Sequence, residues 1–332
     1  MIDSGTSRRV FLQACAAAFA TRSLAASAQV SSDASVTRFI LGSPPGSALD
    51  VLCRRVADQI QPGYSRNAVV ETRSGASGQI AVATVKAAEP DGMTVLATPM
   101  PHMGIFPHSY RKLPYDPVAD FAPVAMGATF DLAFAVGPAV PAAVNSMATF
   151  VAWAKANPSR AHFGSPAAGS TPHFVGALAA RAAGVAITHI PYRGPSPAVT
   201  DMVGGQVSAA CVPIGDLLQF ANAGRCRIIA TTGAARNRFT PGVATFQEQG
   251  FRDLVLNDWF AFFVPQKTPK AQVLKLNTAL RAALSNPEVV KALDEKGLTA
   301  AWSSPADLAA RLKADLHKWG PIVKSFGFTA DS

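Results

Sequence analysis

A strand, a turn of small residues and a helix start recur along this chain, and the clearest copy is Ser43-Pro44-Pro45-Gly46-Ser47-Ala48-Leu49-Asp50. The apolar run Phe39-Ile40-Leu41 precedes it, and an amphipathic segment over 51–60 follows. The prolines fix φ and deny helix to the residues before them. Gly46 tolerates backbone geometry closed to other residues, and Ser47 with Asp50 forms a Ser-x-x-Asp cap. Exposed amides at such a helix start, with the positive end of its dipole, make a site for an anion. The same spelling also serves simply to turn and cap a chain, so its recurrence carries the weight.

The pattern predicts a strand over 37–41, a helix over 48–60 and a second strand over 68–72. Arg73-Ser74-Gly75-Ala76-Ser77-Gly78 is another small-residue turn, opening a helix over 79–88. A third strand, 94–98, ends at Pro99-Met100-Pro101-His102. This βαβαβ series implies a parallel sheet with right-handed crossovers. A Pro- and aromatic-rich connection over 106–117 leads to strands near 123–126 and at 132–136, then a helix over 148–156. The logic then repeats: strand 161–163, loop 164–171, helix to 183; strand 187–191, Tyr192-Arg193-Gly194-Pro195, helix to 203. Strands at 211–214, 227–232 and 260–264 and a helix from Asp216 follow. Three helices, 270–284, 287–296 and 305–319, close the chain. The expectation is an α/β protein of two lobes, each a mainly parallel sheet flanked by helices, one from 36–130 with 255–332 and the other from 131–254. Strand-end loops of both lobes would meet at a cleft.

With 332 residues, 49% apolar and 15% charged, the chain is globular and long enough for two cores. No apolar run is long enough to span a bilayer. The net charge is +9, of which +2 lies in the first 28 residues, and the basic residues are scattered. Nucleic acid is therefore not indicated, whereas a mild attraction for small anions is. Ser7-Arg8-Arg9-Val10-Phe11-Leu12-Gln13 fits a twin-arginine export motif without its customary final Lys. An alanine-rich stretch and Ala26-Ser27-Ala28 complete a signal peptide over 1–28, cleaved near Ala28 into the periplasm.

Signatures of common catalytic chemistry are missing. No G-x-S-x-G, Walker, G-x-G-x-x-G or H-E-x-x-H motif occurs. The six histidines show no i, i+4 pair, and His102 and His108 are expected to be isolated turn residues rather than metal ligands. Neither a metal nor a cofactor is expected. Cys53 falls on the apolar face of the first helix; Cys211 and Cys226 are open to a bridge or to free thiols. Ser165, Ser170 and Thr171 have no basic partner visible in sequence. An exported serine hydrolase or esterase built on that loop is the competing reading, and a histidine within reach of a loop hydroxyl would favour it.

The ordered motifs resemble the Bug family of extracytoplasmic solute receptors, the substrate-binding component of tripartite tricarboxylate transporters. The likeness runs from about Thr37 to Phe328. It rests on Pro44-Pro45-Gly46 with Asp50; Glu71-Thr72-Arg73 with Gly75-Ala76 and Gly78; Pro90-Asp91-Gly92; and Ser165-Pro166 with Gly169-Ser170-Thr171 before His173. Pro191-Tyr192-Arg193-Gly194, Gly204-Gly205-Gln206-Val207 and Asp258-Trp259-Phe260 continue it. The resemblance implies a monomeric, non-enzymatic Venus-flytrap receptor of the type II periplasmic-binding-protein fold. It would hold a small carboxylate in the cleft through main-chain amides, hydroxyls and water, and deliver it to membrane subunits or report it to a sensing partner. The implied contacts are Ser43, Pro44, Pro45, Gly46, Ser47, Asp50 and Thr98 in the first lobe and Gly169, Ser170, Thr171, Tyr192 and Asp216 in the second. Ser47, Ser74 and Ser77 depart from the family's usual Gly, Pro and Gly. A carboxylate at Asp50 repels an anion unless water or a ligand ammonium intervenes; a first-turn Asp also serves the helix dipole alone.

Overall fold

Residues 36–61 and 63–330 are described by a computed structural model. The signal peptide, its cleavage site and Cys15 lie outside the described residues. Strand β1 (Val36–Leu41) leads through the Pro-Pro-Gly turn into helix α1 (Ala48–Gln59), whose N-cap Ser47 accepts the Asp50 amide. Leu49, Leu52, Cys53 and Val56 form its buried face, the i, i+3, i+4, i+7 stripe of an amphipathic helix. Strand β2 (Asn67–Thr72), helix α2 (Gln79–Lys86) and strand β3 (Thr94–Pro99) follow, and β1 pairs in parallel with both β2 and β3.

The connection after β3 is not a loop throughout. It holds two short helices, α3 (Met100–Gly104) and α4 (Phe106–Ser109), each with a proline in its first turn, where the missing N–H costs nothing. Strand β4 (Phe121–Phe130) is longer than 123–126. Pro123 and Gly127 interrupt the sequence signal, yet pairing continues past them through register shifts opposite β10 (Asp258–Pro265). All eight residues of β10 are buried, and it runs antiparallel to β3 and β4. The first sheet is thus ordered β11-β4-β10-β3-β1-β2, with β11 at Thr299–Ala300.

The second sheet is ordered β7-β6-β8-β5-β9: β5 (Leu132–Val136), β6 (His162–Ser165), β7 (Thr188–Pro191), β8 (Ala209–Pro213) and β9 (Arg227–Thr231). Strand β6 is parallel to β7 and β8, while β5 runs antiparallel to β8 and β9. Both sheets are therefore mixed: in each, the strand that brings the chain in from the other sheet, β10 in the first and β5 in the second, opposes the parallel βα series. Helices α5 (Met147–Ala156), α6 (Thr171–Ala182), α7 (Pro195–Val203) and α8 (Gly215–Asn222) belong to this half.

Helices α9 (Lys270–Leu284) and α11 (Pro305–Ser325) pack on β4, and α10 (Pro287–Asp294) packs on α1, so the C-terminal helices cover the first sheet. Helix α11 continues beyond Trp319 through Pro321, because Trp319 and Val323 are both buried on its inner face and that packing outweighs the proline's cost. Cys53, Cys211 and Cys226 are buried free thiols, so no bridge joins Cys211 to Cys226.

Asp131 stands between β4 and β5, where the chain first passes from one sheet to the other. Its carboxylate accepts the Asn237 side-chain amide at 2.7 Å and the Asn257 side-chain amide at 3.0 Å, the latter just before β10 returns. Its carbonyl accepts the Ile214 amide at 3.0 Å. One buried residue thereby ties both crossings together. Asp131→Ala removes the acceptor of the two asparagine side-chain amides while leaving the Ile214 bond, and is expected to cost about 1–2 kcal/mol in urea unfolding; a loss below about 0.5 kcal/mol would show that the crossings hold without that carboxylate.

Candidate functional site

A cavity of about 870 Å³ lies between the two sheets. Its walls come from the C-terminal ends of the parallel strands, where α/β sheets collect ligands. From the first sheet come the turns after β1, β2 and β3; from the second, those after β6, β7 and β8; Phe130, Leu132, Asp258 and Phe260 close it at the crossings.

Of the residues expected from sequence, Ser43, Pro44, Ser47, Ser170, Tyr192 and Asp216 line this cavity. Pro45, Gly46, Asp50, Thr98, Gly169 and Thr171 do not, and their bonds explain why. Asp50 is buried; its Oδ2 accepts the Gly46 amide and the Arg54 Nε–H, both at 2.9 Å, so the Pro-Pro-Gly turn is closed upon its own helix. The Ser47 amide is taken by the Pro44 carbonyl. The donors left to the first turn of α1 are the amides of Ala48 and Leu49, both cavity residues without an intrahelical acceptor. Gly169 gives its amide to His173 Nδ1 at 3.1 Å, and Thr171 is fully buried. Ser170 caps α6, accepting the His173 amide and donating to the Ala167 carbonyl at 2.7 Å. The Tyr192 hydroxyl donates to Asp201 at 2.8 Å; burial, with Asp201 beside it, pushes that phenol up to about 12.

The turn after β2 is a wall that the list of contacts from sequence left out. Gly75, Ala76, Ser77 and Gly78 all have positive φ, at 128°, 45°, 54° and 91°. Ala76 and Ser77 each bear a strain of about 1 kcal/mol there. Gly42 and Gly78 touch backbone to backbone, since a Cβ on Gly42 would fall 2.6 Å from the Gly78 Cα. His102 secures the turn. Contrary to an isolated turn histidine, its ring is buried; Nδ1 is 2.7 Å from the Thr98 hydroxyl, and the ring bonds the Ser77 backbone. Burial lowers its pKa to about 4 although the Ser77 bond works against the shift, so a neutral imidazole stands there. Thr98 thus orients His102 instead of reaching the cavity. The aromatic walls, Phe106, Phe130 and Phe260, were likewise absent from the expected contacts, because crossing strands come together only in the folded chain.

Two carboxyl groups face the cavity. Burial pushes Asp258 up to about 7, partly offset by the Thr171 hydroxyl and the Trp259 amide. Burial also pushes Asp216 up to about 7, with Lys296 opposing. The guanidinium among the lining residues belongs to Arg193, which is exposed.

The feature that the hydrolase reading asks for is present: Ser165 Oγ lies 2.7 Å from His189 Nε2. The pair is ill suited to nucleophilic attack. Ser165 is wholly buried, neither residue lines the cavity, and His189 stacks on His173 at 3.9 Å. Burial, with His173 beside it, lowers the His189 pKa to about 3, and no carboxylate orients the ring among the described residues. No group of three or more His, Cys, Asp or Glu among the described residues could hold a metal ion.

Two mixed α/β sheets with a ligand-sized cavity at their strand ends define a two-lobed binding protein. A family model described as the tripartite tricarboxylate transporter family receptor matches residues 52–328. Protein BugT of Bordetella pertussis is 30% identical over 292 residues, covering 87% of this chain and 89% of its own. A UPF0065 protein from the tcbD–tcbE intergenic region of Pseudomonas sp. strain P51 is 30% identical over 294 residues, 88% of this chain and 87% of its own. Among solved structures, a periplasmic transporter superposes with TM-score 0.83 at 31% identity, covering 90% of this chain and 99% of its own. R. palustris Rpa4515 with adipate gives 0.83 at 28%, covering 92% and 100%. Periplasmic binding protein BugD gives 0.81 at 25%, covering 90% and 99%. The chain belongs to the tripartite tricarboxylate transporter receptor family, a family of substrate-binding receptors and not of enzymes. No helix among the described residues is long and apolar enough to cross a membrane.

Asp258 makes stability depend on pH. Its pKa is about 7 folded against 3.8 in an unperturbed chain, so the folded protein holds the proton more tightly. The stabilisation is complete below about pH 4 and is lost as pH rises through 7. In the unliganded protein the urea midpoint should fall between pH 5 and pH 8, and Asp258→Asn should reduce that fall to the part contributed by Asp216, raised in the same way; an unchanged slope in the variant would refute the assignment.

Proposed function

We propose that the protein is a periplasmic receptor that captures a small carboxylate between its lobes for uptake by a tripartite tricarboxylate-type transporter. In this reading the lobes are 36–130 with 255–332 and 131–254, the twin-arginine signal over 1–28 is removed near Ala28, and a monomer delivers its ligand to membrane subunits. One observation carries it: Ala48 and Leu49, whose amides at the start of α1 have no intrahelical acceptor, line one cavity with Ser43 and Ser47 of the first sheet and Ser170, Tyr192 and Asp216 of the second. Backbone donors at a helix N-terminus favour negative oxygens without a bound counter-charge. The adipate bound by Rpa4515, at 28% identity, supports a carboxylate as the ligand class. Ser43, Ser47, Ser170, Tyr192 and Asp216 would meet the ligand directly, and Gly46, Asp50, Thr98 and Thr171 would shape the walls behind them.

Thermal-shift and calorimetric titration of the unliganded protein with mono-, di- and tricarboxylates tests the reading; saturable binding must raise the melting temperature by mass action, and no shift with any acid would end it. Ala48→Pro is a sharper probe. The first helical position accepts proline, and Ser47 before it is already extended at φ −64°, ψ 161°. The substitution deletes one amide donor from an intact helix. It should weaken carboxylate binding by about 10-fold, in line with a lost bond to a charged acceptor, while leaving the unliganded melting temperature nearly unchanged. Equal affinity in the variant would remove α1 from ligand recognition.

A further inference from the structure

Charge and hydrogen-bonding capacity in the cavity are unevenly distributed, and the unevenness bears on which carboxylate it takes. Asp216 sits in the first turn of α8 and lines the cavity. Its Oδ2 is shut off from water and has no hydrogen-bond partner, and the group makes no salt bridge among the described residues. It is held firmly. Gly215 packs so closely on the turn after α10 that a Cβ there would lie 1.8 Å from the Lys296 carbonyl oxygen. A buried polar atom left without a partner costs free energy that a ligand donor would recover.

The rest of the lining sets the balance. Asp258 is the second carboxyl, and Arg193, at an exposed position, is the single guanidinium among the lining residues. Phe106, Phe130, Phe260 and Leu132 add apolar wall to the same cavity. One ligand carboxylate would be met by the Ala48 and Leu49 amides and the Ser43 and Ser47 hydroxyls. A second or third carboxylate placed against Asp216 and Asp258 would be repelled once those groups ionise, above about pH 7. Resting on the carboxylate-receptor reading, we propose that the cavity selects an acid with one carboxylate, a hydrocarbon body and a hydrogen-bond donor, hydroxyl or ammonium, that satisfies Asp216. A tricarboxylate is selected against, despite the name the family carries.

The test is calorimetric titration with matched acids: propionate with lactate and β-alanine, hexanoate with 6-hydroxyhexanoate and 6-aminohexanoate, and tricarballylate. At least one donor-bearing acid should bind 10-fold or more tighter than its parent, and tricarballylate should bind more weakly than that acid. Whether the hydroxyl or the amine arm wins distinguishes the two donors. Asp216→Ala should erase the preference, each donor-bearing acid then binding no tighter than its parent. Parents binding as tightly as their substituted partners, tricarballylate binding tightest, or a preference that survives Asp216→Ala would each overturn this inference and leave the receptor reading standing. Failure of every acid would overturn both. Should Asp216→Ala not fold, Asp216→Ser serves the same purpose, and the wild-type series decides by itself.

Discussion

The carboxylate of Asp131 holds the molecule in its two-sheet form. The chain passes between the sheets beside it on the way out and at Asn257 on the way back, and the same carboxylate accepts amides from Asn237 and Asn257. Next to it, Leu132 and Thr232 exchange bonds: the Leu132 amide donates to the Thr232 hydroxyl, and the Thr232 amide to the Leu132 carbonyl. A buried carboxylate satisfied by neutral amides pins geometry without burying a counter-charge. Because the cavity's floor, Phe130, Leu132, Asp258 and Phe260, belongs to these crossings, fixing them also fixes where the two sets of strand-end turns face each other.

Most of the small-residue turns spend their hydrogen bonds on themselves. Asp50 takes the Gly46 amide, Pro44 takes that of Ser47, and His173 takes that of Gly169. This self-satisfaction ties each turn to its own helix and leaves few unpaired donors on the cavity walls. The turn at Gly75–Gly78 shows the same economy. Two non-glycine residues stay left-handed because His102 bonds Ser77 and fills the space a Gly78 side chain would need, a Cβ there meeting the ring at 2.4 Å. Strain held by its surroundings in this way is common where a protein presets a ligand surface.

Alternation of apolar runs, small-residue turns and amphipathic helices was enough to place the α/β class and nearly every element, because periodicity and capping are local physics. The ordered motifs, which family membership through residue 328 supports, pointed to a receptor. Local spelling failed where non-local packing overrules it: β4 runs through Pro123 and Gly127 because β10 pairs along it, and α11 runs through Pro321 because Trp319 and Val323 are anchored in the core. The antiparallel senses of β5 and β10 were equally hidden, since strand direction depends on which sheet the chain is entering.

Sequence by itself determined that turns at strand ends would carry serines, glycines and helix starts able to meet an anion. Tertiary structure decided which of them line the cavity. Asp50 and Thr98 look from the resemblance like ligand contacts, yet one closes its own turn and the other orients His102; Asp216, in an ordinary helix start, lines the cavity and has one buried oxygen without a partner. The physical reason is that a residue type fixes what a side chain can bond, whereas only the packing of distant segments fixes which partners come within reach and which do not.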